Sequence, residues 1–432
     1  MARAIRVHRA WAVAAVTFLV LIAAAAFRSS FGVMVVPLHD EFGWSVASIS
    51  IAVSVNLVLY GLTAPFAAAL METFGIARIA AIAMALVALG TGLTVVMTAS
   101  WQLVILWGLL VGLGTGSTAL VFGALITNRW FATHRGLVMG ILGTAYATGQ
   151  LAFLPLISHL IDSFGWRTAA WLITALCVLT IPLVLLVIRD RPSDVGLEPY
   201  GATGTPVPAA ARTAPSRSGR SAAAGAITTL RAAARTKAFW LLAGTFFVCG
   251  WTTNGIISTH FIPAMHDHGM TSTTAAGLLA LVGICDIVGT IGSGWLSDRF
   301  DPRYLLFAYY GLRGVALIAL PILVGPHASP PVLVVMVLFG LDWVATVPPT
   351  VALCRQIYGV DAGAIVFGWV FAAHMIGAAG AALVSGAIRT ASGDYLFAWL
   401  LAGLLAIIAA IACTAIPRAP VANDSQVGLA AH

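Results

Sequence analysis

The chain has 432 residues, of which 60% are hydrophobic and 9% charged, and its mean hydropathy is +0.99. So few polar groups cannot cover a soluble globule of this size, which excludes a water-soluble enzyme or binding module and points to an integral membrane protein. The net charge of +7 follows from topology and contact with anionic lipid, so nucleic-acid binding has no place in it.

A helix that crosses a bilayer needs about 20 mainly apolar residues. Twelve such runs occur, at 11–37, 48–70, 77–98, 102–126, 136–160 and 168–188, then at 239–262, 273–296, 304–325, 331–354, 363–387 and 395–416. Arg3, Arg6 and Arg9 precede the first run in the manner of a signal peptide, but its apolar sequence continues past Arg28 to Leu38 and eleven runs follow. It is read as an uncleaved first helix. Residues 189–238 are rich in Ala, Gly, Pro, Ser, Thr and Arg and read as a flexible cytoplasmic linker. The expected division is a six-helix bundle over 1–188, the linker, a second bundle over 239–418 and a tail over 419–432.

Lys and Arg in short loops stay on the cytoplasmic side. With the N-terminus inside, 18 of the 22 basic residues fall inside; only Arg167 and Arg389 fall outside, while Arg28 and Arg313 lie within spans. An even number of spans places both termini in the cytoplasm, as expected for a multi-pass protein of the inner (cytoplasmic) membrane.

The two bundles repeat one another. "LMETFG" (70–75) answers "LSDRFD" (296–301), which pairs Glu72 with Asp298 at an offset of 226, and Arg129 pairs with Arg355 at the same offset. "PLISHLIDSFGWRTAAWL" (155–172) answers "ALVSGAIRTASGDYLFAWL" (382–400) at 227 to 228. Six plus six helices in one orientation, joined by a long inner loop, is a parallel-repeat transporter plan.

On these motifs the chain resembles the major facilitator superfamily. That family's loop signature, roughly G-x-L-x-D-R-x-G-R-R, is similar to Gly294 through Arg303; the first copy is degraded, with Glu72 and Thr73 in place of Asp and Arg. The resemblance implies an all-α membrane fold of 12 helices in two parallel repeats. It also implies a cytoplasmic gating motif, here Glu72, Arg135, Asp298, Arg299 and Arg303, that latches the halves in the outward-facing state. "FGVMVVPLHDEFGWSVASIS" (31–50) and "NRWFATHRGLVMGI" (128–141) resemble the monocarboxylate-porter type and its bacterial organic-anion relatives. The Arg that many sugar and drug porters carry before G-x-G is replaced by Gly108, and the drug antiporters' G-P-x-x-G-G is missing from residues 140–155. Monocarboxylate porters carry Asp and, one turn on, Arg in helix 8; here Asp286 is followed by Thr290, so the anion-binding cation is expected at Arg28 in helix 1.

Ionisable residues inside hydrocarbon are costly and mark function or a specific partner. Arg28, Asp286, Arg313 and Asp342 are such residues, and their charges sum to zero. Asp286, Arg313 and Asp342 lie at comparable depth and are expected to form an ion pair or carry the coupling proton. Arg28 is expected to bind a substrate carboxylate through its planar fork, with Tyr146, Gln150, Asn254 and His374 supplying further polar lining or hydrogen bonds between helices.

Cys177, Cys249, Cys285, Cys354 and Cys413 have no C-x-x-C spacing and read as packing residues. No nucleophile-and-base or metal constellation marks an enzyme, and "HDH" (266–268) lacks a third metal ligand. The expected activity is secondary transport of a small organic anion, a monocarboxylate, by alternating access with proton symport. Proton-driven efflux of hydrophobic compounds and anion exchange are the alternatives. The expected partners are the anion, protons and the lipid bilayer, for a monomer without cofactor.

Overall fold

The computed structural model describes residues 8–134, 138, 141, 142, 145, 153–202, 219–297 and 299–417. Among these, eleven helices are long and apolar enough to cross a membrane. Part of a further one, helix 5, is the shorter apolar helix Leu154–Phe164. Helices predominate because hydrocarbon offers the backbone no hydrogen-bond partner, so every N–H and C=O must be satisfied within its own segment.

Helix 1 runs over Arg9–Ser29 and resumes as Phe31–Phe42. Helices 2, 3 and 4 follow as Val46–Phe74, Ile76–Thr94 and Ser100–Trp130, and helix 6 is Trp166–Val187. The second half holds helix 7 (Lys237–Asp267), helix 8 (Ser272–Ser297), helix 9 (Pro302–Leu323), helix 10 (Pro330–Tyr358), helix 11 (Val360–Ser392) and helix 12 (Leu396–Thr414). Among the described residues of the linker are a short 3-10 helix, Pro192–Val195, and an α-helix, Gly219–Ala233.

Helices 2 and 11 form a long seam between the halves. Small residues allow it, because in a membrane close backbone approach is a main source of helix association. A Cβ on Gly61 would collide with the Met375 side chain, and one on Gly386 would collide with Ser50. Toward the end of the seam that the basic-residue count assigns to the outside, Ala47 N–H donates to Thr390 Oγ1 at 3.2 Å and Ser54 Oγ donates to the Ala379 carbonyl at 2.8 Å. Nearby, the outer part of helix 1 packs on helix 7 and the outer end of helix 5 packs on helix 8, where Thr273 Oγ1 donates to Asp162 at 2.5 Å. This end of the seam is therefore closed.

The turn between helices 2 and 3 differs from its repeat. Gly75 sits at φ +96°, a conformation that side chains rarely adopt, and the start of helix 3 is capped from far along the chain: Asp190 accepts the Ile76 N–H at 2.6 Å. In the second half Asp301 occupies the position equivalent to Gly75 and caps helix 9 itself, accepting the Arg303 N–H at 3.1 Å. A carboxylate at a helix N-terminus satisfies an orphan N–H and opposes the helix dipole.

Candidate functional site

Arg28 lies in the last turn before helix 1 breaks. Ser29 and Ser30 turn their hydroxyls back to the carbonyls of Ala25 and Phe27, at 3.0 and 2.6 Å, which satisfies backbone acceptors at the interruption. The guanidinium is half-buried and lies over the Tyr60 ring of helix 2, 4.0 Å from its centroid. This cation–π contact holds the charge against the face of the ring. Arg28 and Tyr60 line a cavity with Thr115, Thr118 and Ala119 of helix 4 and Leu142 and Ala145 of helix 5.

Helix 4 is irregular here. Val104–Val111 is π-helical, and the helix breaks at Thr118 and Ala119 before resuming at Leu120. Such bulges recur at functional sites because they re-aim the following turn. Asn56 Nδ2 donates to the Trp107 carbonyl at 2.6 Å, and the Trp107 indole donates to Thr94 at 3.1 Å. Phe27 and Phe31 pack on the same indole, with ring centroids 5.5 and 6.0 Å away. The aromatic cluster thus couples the break in helix 1 to the π-helical segment of helix 4.

In the second half Arg313 is wholly buried and pairs with Asp342, Nε to Oδ2 at 2.6 Å. The pairing chooses between the two acids that sequence left open: Asp342, on helix 10, takes the guanidinium. Nη2 donates to the Asp342 carbonyl and reaches the Trp343 carbonyl at 3.4 Å; Nη1 reaches Cys249 and Thr252 of helix 7, each at 3.3 Å. Helix 10 is interrupted between Asp342 and Val347, and its loose backbone groups are taken up by neighbours. Asp286 Oδ1 accepts from the Val344 N–H at 3.0 Å and from the Thr290 hydroxyl at 2.9 Å. Ser293 Oγ donates to the Ala345 carbonyl at 2.5 Å.

Asn254 lies in a π-helical turn of helix 7, Trp251–Gly255, and its Nδ2 is 3.1 Å from His374 Nε2 on helix 11. The His374 ring stacks on Phe371, with centroids 5.6 Å apart and planes 6° from parallel. His374 is brought toward the first-half site by the seam, since Gly61, next to Tyr60, packs on Met375 and Ala372.

Of the gating-motif residues, Arg299 lies over the Trp295 ring at 4.0 Å, and Arg303 is bound by Asp301 at 2.5 Å and by the Ile416 carbonyl at 3.2 Å. These contacts stay within the second half. Tyr146, Gln150, Arg135 and Asp298 lie outside the described residues, as does the side chain of Glu72. Asp267 of the "HDH" loop is held by Arg389 at 2.7 and 3.0 Å.

Sequence reading did not single out Tyr60, Thr115, Thr118, Asn56 or Ser293. One signal was available for Tyr60: the 226-residue offset places it opposite Asp286, and places Arg28 opposite Asn254.

A duplicated twelve-helix bundle with intramembrane charges and a cavity near the seam defines a transporter fold. The sequence profile of the Major Facilitator Superfamily matches residues 17–379, and the chain belongs to that superfamily. It is similar to monocarboxylate transporter 13 of Rattus norvegicus, 28% identical over 382 residues that cover 87% of this chain and 81% of the relative. It is also similar to monocarboxylate transporter 11 of Homo sapiens (26% identical, covering 95% and 83%) and to the uncharacterized MFS-type transporter YcxA of Bacillus subtilis (24% identical, covering 85% and 86%). Among solved structures, a point mutant of the nucleoside transporter NupG superposes with a TM-score of 0.70 at 12% identity, covering 95% of this chain and 100% of that one. A D-xylose-proton symporter gives 0.67 at 14%, covering 94% and 98%. At these identities the structures establish the fold alone.

Proposed function

We propose that this transporter carries small organic anions, monocarboxylates, by alternating access with proton symport. The observation that supports this most is the Arg28 guanidinium over Tyr60 in a cavity lined by Thr115 and Thr118. A carboxylate suits that fork, which offers parallel charge-assisted hydrogen bonds. Relatives named monocarboxylate transporters point the same way.

Charge balance supports proton coupling. Arg313 and Asp342 neutralise one another, and Arg28 and Asp286 carry opposite charges in opposite halves. Adding one carboxylate at Arg28 and one proton at Asp286 leaves the membrane interior as neutral as before, which spares the cost of moving net charge through hydrocarbon. Asp286 suits the role because its described hydrogen-bond partners, Thr290 and the Val344 N–H, are neutral. It gains or loses a proton without breaking an ion pair, whereas Asp342 cannot.

The test is uptake into proteoliposomes of a panel of labelled carboxylates and their neutral amides, with and without an inward proton gradient. Gradient-stimulated accumulation of one or more monocarboxylates is expected, without uptake of the amides. Transport of neutral or cationic compounds alone would remove the anion reading, and carboxylate transport indifferent to the gradient would remove the coupling.

A further inference from the structure

The linker helix Gly219–Ala233 does not lie apart from the bundles. Ala226, Thr229 and Leu230 are half-buried and Ala233 is buried, at positions i, i+3, i+4 and i+7, while Ala224, Gly225, Ile227, Thr228, Arg231 and Ala232 are exposed. That spacing is one face of an α-helix. The face packs on helix 2 of the first half and on helix 11 of the second.

Its two attachments are unequal. Toward the second half, the Trp369 indole donates to the Ala226 carbonyl at 3.0 Å, and Ala233 joins the buried cluster of Phe239, Leu242 and Phe246. Just beyond it, Trp240 donates to the Ala234 carbonyl at 2.8 Å, and Thr236 Oγ1 lies 2.6 Å from Tyr358 Oη. These contacts make the helix a fixture of the second half. Its packing on helix 2 is the attachment that crosses between halves.

The crossing lies toward the cytoplasm, where the linker begins and ends, while the outer side of the seam is closed by the Ala47–Thr390 and Ser54–Ala379 bonds. When the transporter turns outward, those bonds part and helices 2 and 11 change their relation at the inner end. A helix docked on both must then leave one. We propose that the linker helix is a strap that holds the outward-closed state, and that its release from helix 2, while it stays on the second half, is a step of the transport cycle. Disengaging the strap therefore raises the fraction of molecules open to the outside. This rests on alternating access between the two halves and is independent of which substrate is carried.

The test uses the full chain in proteoliposomes, with Ser50→Cys, buried in the seam against Gly386, as a reporter of outer opening in a Cys285→Ala background and a membrane-impermeant maleimide as the probe. No substrate is needed, so the result does not depend on the anion assignment. Three variants are compared: replacement of 219–233 by a Gly/Ser segment of equal length, Thr229→Arg, which puts a long charged side chain into the docked face, and the exposed-face control Arg231→Gln. Labelling is expected to rise about fivefold in Thr229→Arg, the scale of about 1 kcal/mol lost from the docked state, to rise further in the Gly/Ser variant, and to stay at the parental rate in Arg231→Gln. Parental labelling in a Gly/Ser variant that elutes as a folded monodisperse protein would overturn the strap. If that variant does not fold, parental labelling in Thr229→Arg overturns it alone.

Discussion

Helix 4 breaks at Thr118 and Ala119, and helix 10 breaks between Asp342 and Val347, at places related by the 226-residue offset of the duplication. The two breaks have opposite surroundings. In the first half the break lines a cavity together with Arg28 and Tyr60. In the second it is filled: Arg313 takes the carbonyls of Asp342 and Trp343, Asp286 the Val344 N–H, and Ser293 the Ala345 carbonyl. The same backbone defect thus opens a site in one repeat and is tied down by side chains in the other. The difference follows from single positions: Val87 stands where the second half has Arg313, Tyr60 where it has Asp286, and Arg28 where it has Asn254.

Removing the filling charge should break this contrast most severely. Arg313→Ala leaves the Asp342 carboxylate buried and unpaired and strands two carbonyls, and losing one partner of a buried pair costs about 3–5 kcal/mol. Loss of monodisperse protein in detergent is the expected outcome. Arg313→Met with Asp342→Leu, which removes both charges, should recover part of the yield. Well-folded Arg313→Ala protein with a selective loss of substrate affinity would instead make Arg313 a substrate ligand.

Asp286→Asn sharpens the contrast with a milder change, because an amide keeps the size and can still accept from Thr290 and the Val344 N–H. Folding should persist and carboxylate exchange should continue. Stimulation by an inward proton gradient should vanish. Gradient-driven accumulation that survives in Asp286→Asn would move the proton elsewhere.

The smallest effect concerns the outer rim of the first half. Glu41 accepts from Arg167 at 2.5 and 2.9 Å and from the Trp166 indole at 2.6 Å, and these bonds, Arg167 first, hold its carboxyl below the usual range. A depressed carboxyl pKa stabilises the fold above the unfolded-state value and loses that contribution as pH falls through the folded-state value. Both side chains are more than a third exposed, so the contribution is at most about 1 kcal/mol. Glu41→Gln should lower the detergent Tm slightly at neutral pH, and the gap from the parent should narrow as the pH falls below about 4, the unfolded carboxyl value. A gap that widens under acid would contradict the assignment.

The twelve-helix plan and the duplication were legible because hydrocarbon imposes long apolar runs and a copied bundle keeps its offset. The site was legible only in part. Arg28, Asp286, Arg313 and Asp342 stood out because charge in a membrane span is conspicuous, but depth along a helix does not fix its rotation, so the choice of Asp342 as partner needed three dimensions. Tyr60 and Thr115 are ordinary membrane-helix residues, and only packing brings them to Arg28. The linker helix escaped notice because its Ala, Gly, Ser and Thr also suit a flexible tether. The face made by Ala226, Thr229, Leu230 and Ala233 has meaning only once helices 2 and 11 are beside it.

The most direct test of the contrast between a first-half break that lines a cavity with Arg28 and a second-half break filled by side chains is the affinity of Arg28 variants for a carboxylate and for its neutral amide. Arg28→Lys keeps the charge but removes the planar fork, and Arg28→Gln removes the charge. Hydrogen bonds to charged groups contribute about 1.5–3 kcal/mol, so Arg28→Gln should weaken carboxylate binding about tenfold to a hundredfold. Arg28→Lys should lose less, and the amide should be affected little by either. Carboxylate affinity unchanged in Arg28→Gln would contradict the assignment of Arg28 as the anion-binding residue.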